Sequence, residues 1–598
     1  MIGLSVNKAL KLHIVVYSLA SALLFIFIPI SFIDRFLAGI IFFGVLFHIK
    51  NIRFEFKRWY EIVVFFITCT YLMFAIFGYD LFLANTMHLS IYYRLFYYAL
   101  GFIWTCYVLQ SFLDALKYLS KIKNRVCVTT SDGYVKKWLI LFAILFALFM
   151  IWQRAFNPVI MSPDSHEYYM DRYIVGRSVI YVLINNMIMK IKPVSLAIHL
   201  IVLYQIIAFS CLLSTILMYL HVHWIRFKWI LVVSIILPLI PSFGLHAITL
   251  WPDLIVGMTI LWVSYVIIRI IDEIILQSSA SQKQRISLYI QLCFALILMY
   301  YAKANTSIIY IVTALSLSVF FILRKKWKLV YSVALSAILI LLIRFPGHDV
   351  LNAARDSNLD AHKFFAGIHD MQATYYGGGN FSEKTLAKLK YYIPKIDGIR
   401  LNFEPDHVKR HEWGNVDEIM HSMTVKEFIY MYTDTFIRNP VQMSRSMLYR
   451  VRAYWVIDPK GKIDHVNFTI VHDPRYRPWL PQHFKIHELR QPNFLTEIMN
   501  KYIEFMVFPV PTIFVWRYGI WTALMIISIT TLIFLKRYAY LLAYIPVFIH
   551  ITTLLLTSGW TDYRYGLPVL FVGLFLPVTL FLLNSNPDYK MEDDKYEI

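Results

Sequence analysis

Apolar runs long enough to cross a bilayer recur along this chain, and short loops rich in Lys and Arg separate them. HIVVYSLASALLFIFIPISFI (13–33) is one such run, and LILFAILFALFMIW (139–152) is a shorter stretch of pure hydrocarbon. A crossing takes roughly 20 helical residues, and in lipid every backbone N–H and C=O has to be satisfied within the segment, which leaves the helix. Of the 598 residues, 59% are hydrophobic and only 16% charged, too few to coat a soluble protein of this size. The expected fold class is therefore an all-α polytopic membrane protein. The first run, HIVVYSLASALLFIFIPISFI (13–33), follows Lys8 and Lys11 and is too long for a signal-peptide core, so it reads as a retained helix.

The net charge of +20 would suggest nucleic acid in a soluble protein. Here the basic residues fall in loops at 50–58, 117–137, 221–228, 269–285, 324–328 and 536–537, the pattern that holds loops in the cytoplasm. Nucleic acid is therefore not an expected partner, and membrane lipids are. This placement gives about fourteen spans, of which the second and fifth are shorter than the usual length of roughly 20 residues. They are 13–33, 36–49, 62–82, 95–116, 138–153, 195–220, 229–248, 252–271, 286–302, 306–323, 329–345, 511–535, 538–557 and 567–583.

The chain then divides into additional N-terminal helices (1–137), a seven-helix module (138–345) with a first outer loop at 154–194, an extracytoplasmic segment (346–508), C-terminal helices (509–583) and an acidic cytoplasmic tail (584–598). The segment 346–508 is too long for an ordinary loop and reads as a mostly helical domain. Thr424-Val425-Lys426-Glu427 has the capping-box pattern that starts a helix. None of the five cysteines lies in 346–508, so neither disulfides nor a Cys metal site is expected.

The outer loops carry the residues suited to chemistry. MSPDSHEYYMDRY (161–173) leaves the membrane after 138–153, and Ser162 and Pro163 suit the start of a helix. On that helix Asp164, Glu167, Tyr168 and Asp171 share a face, which serves to take a proton from an acceptor or to hold a cation, or is simply a solvated face. SVIYVLINNMIMKIK (178–192) reads as a helix in the membrane interface. Asp253 opens an apolar run at WPDL, where an ionisable group usually has a partner. Lys303, Asp562 and Arg564 stand at two further outer turns, so the tight turns carry both signs of charge. Carboxylates beside cations suit deprotonation of a hydroxyl and departure of a phosphate. Each of these residues taken alone also fits a headgroup contact. His407, His411 and Glu412 lack the order of a helical zinc motif, and Gly377-Gly378-Gly379 reads as a turn rather than a phosphate cradle.

This order of loops resembles the GT-C glycosyltransferases, which use polyprenyl-phosphate-linked sugars and include the protein O-mannosyltransferases and aminoarabinose transferases. The resemblance rests on seven spans from 138–153 to 329–345, Asp164 in the first outer loop, Asp253 in the second, Lys303 in the third, a large segment after the seventh span, and DYRYGLP in the last outer turn. It implies a GT-C-like bundle with a helical extracytoplasmic domain, working in a bacterial inner membrane. By the same resemblance Asp164 is the catalytic base, Asp253 assists the acceptor or a metal, and Lys303, Arg564 and Arg177 bind the donor phosphate. Glu167, Tyr168, Asp171 and Asp562 would support the acceptor. The implied partners are a polyprenyl-phosphate-linked sugar and an acceptor protein or glycan. A divalent metal ion is left open as a cofactor. The oligosaccharyltransferase signature WWDYG is absent, so N-linked transfer is not expected. A transporter or flippase, and a polysaccharide polymerase, are the competing expectations.

Overall fold

A computed structural model describes residues 59–78, 106, 131–157, 184–185, 187–223, 225–276, 281–303, 305–350, 364–393, 396, 423–457, 493–506, 514–557 and 563–583. Among these residues the fold is helical, without strands. The bundle is built from α1 (Trp59–Gly78), α2 (Ser131–Ala155), α3 (Val194–His223), α4 (Phe227–Leu239), α5 (Pro241–Ile248), α6 (Asp253–Ile270), α7 (Gln282–Ala302), α8 (Thr306–Leu323) and α9 (Trp327–Val350). The segment after α9 contributes α10 (Phe365–Tyr376), α11 (Glu383–Tyr392), α12 (Val425–Arg438), α13 (Pro440–Arg450) and α14 (Phe494–Phe505). The chain then returns to the bundle through α15 (Gly519–Phe534), α16 (Ile545–Thr557) and α17 (Leu567–Leu583).

Six described helices are long and apolar enough to cross a membrane, or seven if a bent pair counts as one span. The protein is thus an integral membrane protein. The expected spans 13–33, 36–49 and 95–116 lie outside the described residues, apart from Cys106, as does the tail 584–598. The span expected at 138–153 is longer than its apolar core, because α2 starts at Ser131 and carries Lys136 and Lys137 inside the helix.

The single span expected at 229–248 is corrected to two helices, α4 and α5, that meet at 63°. Pro241 causes the break: it lacks the N–H that would continue α4, and it stands at the first position of α5 instead. A broken helix frees backbone groups that lipid cannot satisfy, so they need partners in the protein. All eight residues of α5 are buried. Trp152 Nε1 donates to the Pro238 carbonyl at 2.8 Å, and Gln205 Nε2 donates to the carbonyls of Ala247 and Thr249 at 3.3 and 3.2 Å. Gly244 admits the Trp152 ring where any Cβ would overlap it.

Two basic turns close hairpins at one end of the bundle. Lys325 and Lys536 adopt φ 53° and 57°, which lets the next N–H reach back to a helix carbonyl. Lys326 N donates to Phe321 O and Arg537 N to Leu532 O, both at 2.8 Å. The opposite end, the Asp253 end, carries Asp253, Lys303 and the start of α17.

Helices α10 to α13 form a second core around Ile368, Met371, Leu389, Met431 and Met443, whereas α14 packs on the core of the bundle. The capping box at Thr424 and Glu427 is present, with Glu427 N donating to Thr424 Oγ1 at 3.2 Å and Thr424 N to Glu427 Oε2 at 3.2 Å. Asp370 and Arg450 form an ion pair inside this segment that is 0% and 1% exposed. Arg450 Nη2 donates to Asp370 Oδ2 at 2.8 Å and to the Leu555 carbonyl at 3.1 Å, so the pair also fastens α13 to α16 of the bundle.

Carboxylates tie α12 to the region of α11. The Lys388 ammonium, with the N–H and hydroxyl of Thr424, holds Glu427 down at about 2. Burial opposes the charge of Asp434, yet the hydroxyls of Ser382 and Thr385 and the Arg438 guanidinium outweigh it and hold it at about 2. Both values lie below those of the unfolded chain, about 4. These contacts therefore contribute fully above about pH 4, and their contribution is lost as pH falls towards 2. Amide-exchange protection of residues 383–392, corrected for intrinsic rates, is expected to fall across that window. Protection that stays level down to pH 2 contradicts the assignment.

Candidate functional site

Three turns that are far apart in sequence meet at the Asp253 end. Asp253 is the first residue of α6, where the helix dipole favours a carboxylate. Lys303 follows the last residue of α7 in an extended conformation. Its turn is locked by Thr306: Lys303 N donates to Thr306 Oγ1 at 3.0 Å, and that hydroxyl donates to Lys303 O at 2.6 Å. The third turn is the 3₁₀ segment Tyr563–Gly566 that leads into α17.

Lys303 Nζ donates to Asp253 Oδ1 at 2.7 Å, with side chains 23% and 7% exposed. The ammonium also lies 4.6 Å from the centre of the Tyr565 ring, an attraction of about 0.5–2 kcal/mol. Tyr565 is held through its backbone, because His550 Nε2 on α16 donates to the Tyr565 carbonyl at 2.7 Å. In the neutral ring this leaves Nδ1 as an acceptor, and that buried atom has no hydrogen-bond partner among the described residues. An ammonium has three N–H donors, so Lys303 retains capacity beyond Asp253 for an incoming oxygen.

Close packing lets these turns meet. α6 runs against α17, and Gly257 permits it, since a Cβ there would come within 2.8 Å of the Phe571 ring. Gly566 similarly gives way to the Tyr518 ring. Behind Asp253, Trp251 N donates to Thr249 O at 2.9 Å, and the Trp251 ring lies 5.7 Å from that of His246 on α5. The broken span thereby backs the site.

Two sequence-selected residues, Asp253 and Lys303, are thus brought together. The backbone of Arg564 lies in the same 3₁₀ turn as Tyr565. Asp164, Glu167, Tyr168, Asp171, Arg177 and Asp562 lie outside the described residues, as do His407, His411 and Glu412. Of the expected interface helix 178–192, Asn185 belongs to the protein interior rather than to a polar face: it is 4% exposed, and the Tyr204 hydroxyl donates to it at 3.4 Å. No group of three His, Cys, Asp or Glu side chains that could hold a metal ion occurs among the described residues.

Sequence reasoning missed Tyr565 and His550. Tyr565 had a signal in the DYRYGLP turn. His550 had a fainter one, as an ionisable residue in the apolar run 538–557. It also missed Asp272, which is buried near the opposite end of the bundle and accepts from the hydroxyls of Tyr219 and Tyr540. Comparison of the chain with known protein families, curated proteins and solved structures finds no match in any of the three.

Proposed function

We propose that the protein is a membrane glycosyltransferase that transfers a sugar from a polyprenyl-phosphate donor to an acceptor hydroxyl on the extracytoplasmic face, with inversion. The observation that carries this reading is the Lys303–Asp253 ion pair beneath Tyr565, set at the end of an apolar bundle. A fixed cation near the membrane surface suits a lipid-linked phosphate, and this ammonium is positioned by a carboxylate on one side and an aromatic ring on the other. In the transfer the acceptor oxygen bonds to the anomeric carbon, the bond from that carbon to the phosphate oxygen breaks, and the acceptor proton passes to a base. Asp164 is the proposed base. Lys303, with Arg564 and Arg177, would neutralise the charge that grows on the departing phosphate. Asp253 is paired with Lys303, so its role in this scheme is to hold the ammonium. The basic turns around Lys325 and Lys536 support a cytoplasmic placement of the other end.

The test is acceptor-dependent release of polyprenyl phosphate by the purified protein supplied with a polyprenyl-phosphate sugar. Asp164→Asn is expected to abolish release while the protein remains folded; wild-type turnover in that variant removes Asp164 from the scheme. The α4–α5 break favours a second reading, because discontinuous helices also build transport sites. Flux of a glycolipid without any covalent product would establish that reading instead.

A further inference from the structure

We propose that α14 is a membrane-anchoring helix that seats an apolar flank among the lipid headgroups at the Asp253 end. Three side-chain contacts fasten it there. Asn493 Nδ2 donates to Arg154 O at 3.2 Å and Thr496 Oγ1 to Ala155 O at 2.5 Å, both at the last turn of α2. Tyr502 OH donates to Leu239 O at 2.8 Å, at the last turn of α4. The helix therefore lies across the last turn of α2, where the chain leaves an apolar span, and reaches the α4–α5 break beside it.

Its surface has three faces. Thr496, Met499 and Ile503 are buried against the bundle. Glu497, Lys501 and Glu504 are exposed and fill one arc of the remainder. Phe494, Ile498 and Phe505 are 76%, 43% and 57% exposed, and at 3.6 residues per turn they fall within about 40° of arc. Half-buried Leu495 and Tyr502 lie between this third face and the buried one, so apolar character sweeps continuously from the bundle to the outer side of the helix. Ile151 on α2 and Leu239 on α4, at the points of attachment, are themselves exposed apolar residues. The flank thus stands beside apolar surface that both bundle helices expose where α14 is attached, and lipid is the occupant that would cover all three. The helix carries two carboxylates, Glu497 and Glu504, against the single cation Lys501, so attraction to anionic headgroups does not drive the seating. Buried apolar area does.

Spin labels on the full-length protein test this, with the native cysteines replaced and the protein reconstituted in phosphatidylcholine vesicles. Labels at I498C and F505C are expected to be reached by oxygen and shielded from a water-soluble nickel complex, at a depth just below the phosphates. Labels at E497C and E504C are expected to show the reverse. The pattern should persist when half of the lipid is replaced by phosphatidylglycerol. All four sites lie on the exposed surface, so the labels leave the buried face intact. Equal access of nickel to all four overturns the proposal. So does spin–spin broadening at I498C, which would assign the flank to a second copy, or shielding that appears only with the anionic lipid. None of these readouts depends on transferase activity.

Discussion

Lys303→Met is expected to lower transfer from a polyprenyl-phosphate sugar by about two to three orders of magnitude, the usual effect of removing one preorganised stabiliser of transition-state charge. Lys303 is the cation that Asp253 and Tyr565 fix in place, so its loss removes a charge already held where the phosphate would depart. The substitution leaves the Asp253 carboxylate without its ammonium, which adds a cost in stability. Asp253→Asn/Lys303→Met separates the two effects: it should recover stability and not turnover. Lys303→Arg keeps the charge and should retain part of the activity. Steady-state transfer by protein of verified fold is the measurement, and unchanged turnover in Lys303→Met would remove Lys303 from the proposed mechanism.

Asp370→Leu is expected to destabilise the protein by about 3–5 kcal/mol, the cost of leaving one member of a buried ion pair uncompensated. Asp370 accepts from Arg450 Nε at 3.1 Å, from Arg450 Nη2 at 2.8 Å and from Ser446 Oγ at 2.8 Å. The stranded guanidinium would keep its bond to the Leu555 carbonyl and lose the carboxylate that balances its charge. Asp370→Leu/Arg450→Met removes both charges and should recover much of the loss, since an apolar pair of similar volume is often as stable. Thermal unfolding in detergent compares the three proteins. A single variant as stable as the double one would show that the pair carries no such energy.

Much of the bundle was legible because a lipid environment leaves a chain few choices. The apolar runs bounded by the basic loops at 221–228, 269–285 and 324–328 had to close their own backbone hydrogen bonds. Accordingly α3, α6, α7 and α8 lie close to where those runs predict them. The capping box at Thr424 and Glu427 was legible for a similar local reason, because both partners lie within one turn of each other. The break in the span 229–248 had its signal in Pro238 and Pro241, but a proline inside an apolar run is compatible with a kinked span as well as a broken one.

Most helices, and the ionisable residues at their ends, follow from the sequence, because backbone satisfaction and hydrophobic length act within one segment. That placed Asp253 at the start of an apolar helix and Lys303 at a turn. Which turns meet is a matter of packing between helices. Lys303 finds Asp253 across fifty positions of chain, and Tyr565 closes over it because Gly257 lets α17 approach α6. The Asp370–Arg450 pair is eighty positions apart and equally unreadable in advance. Such contacts depend on how helix faces pack, and packing is set by side-chain shape summed over many helices rather than by any local pattern.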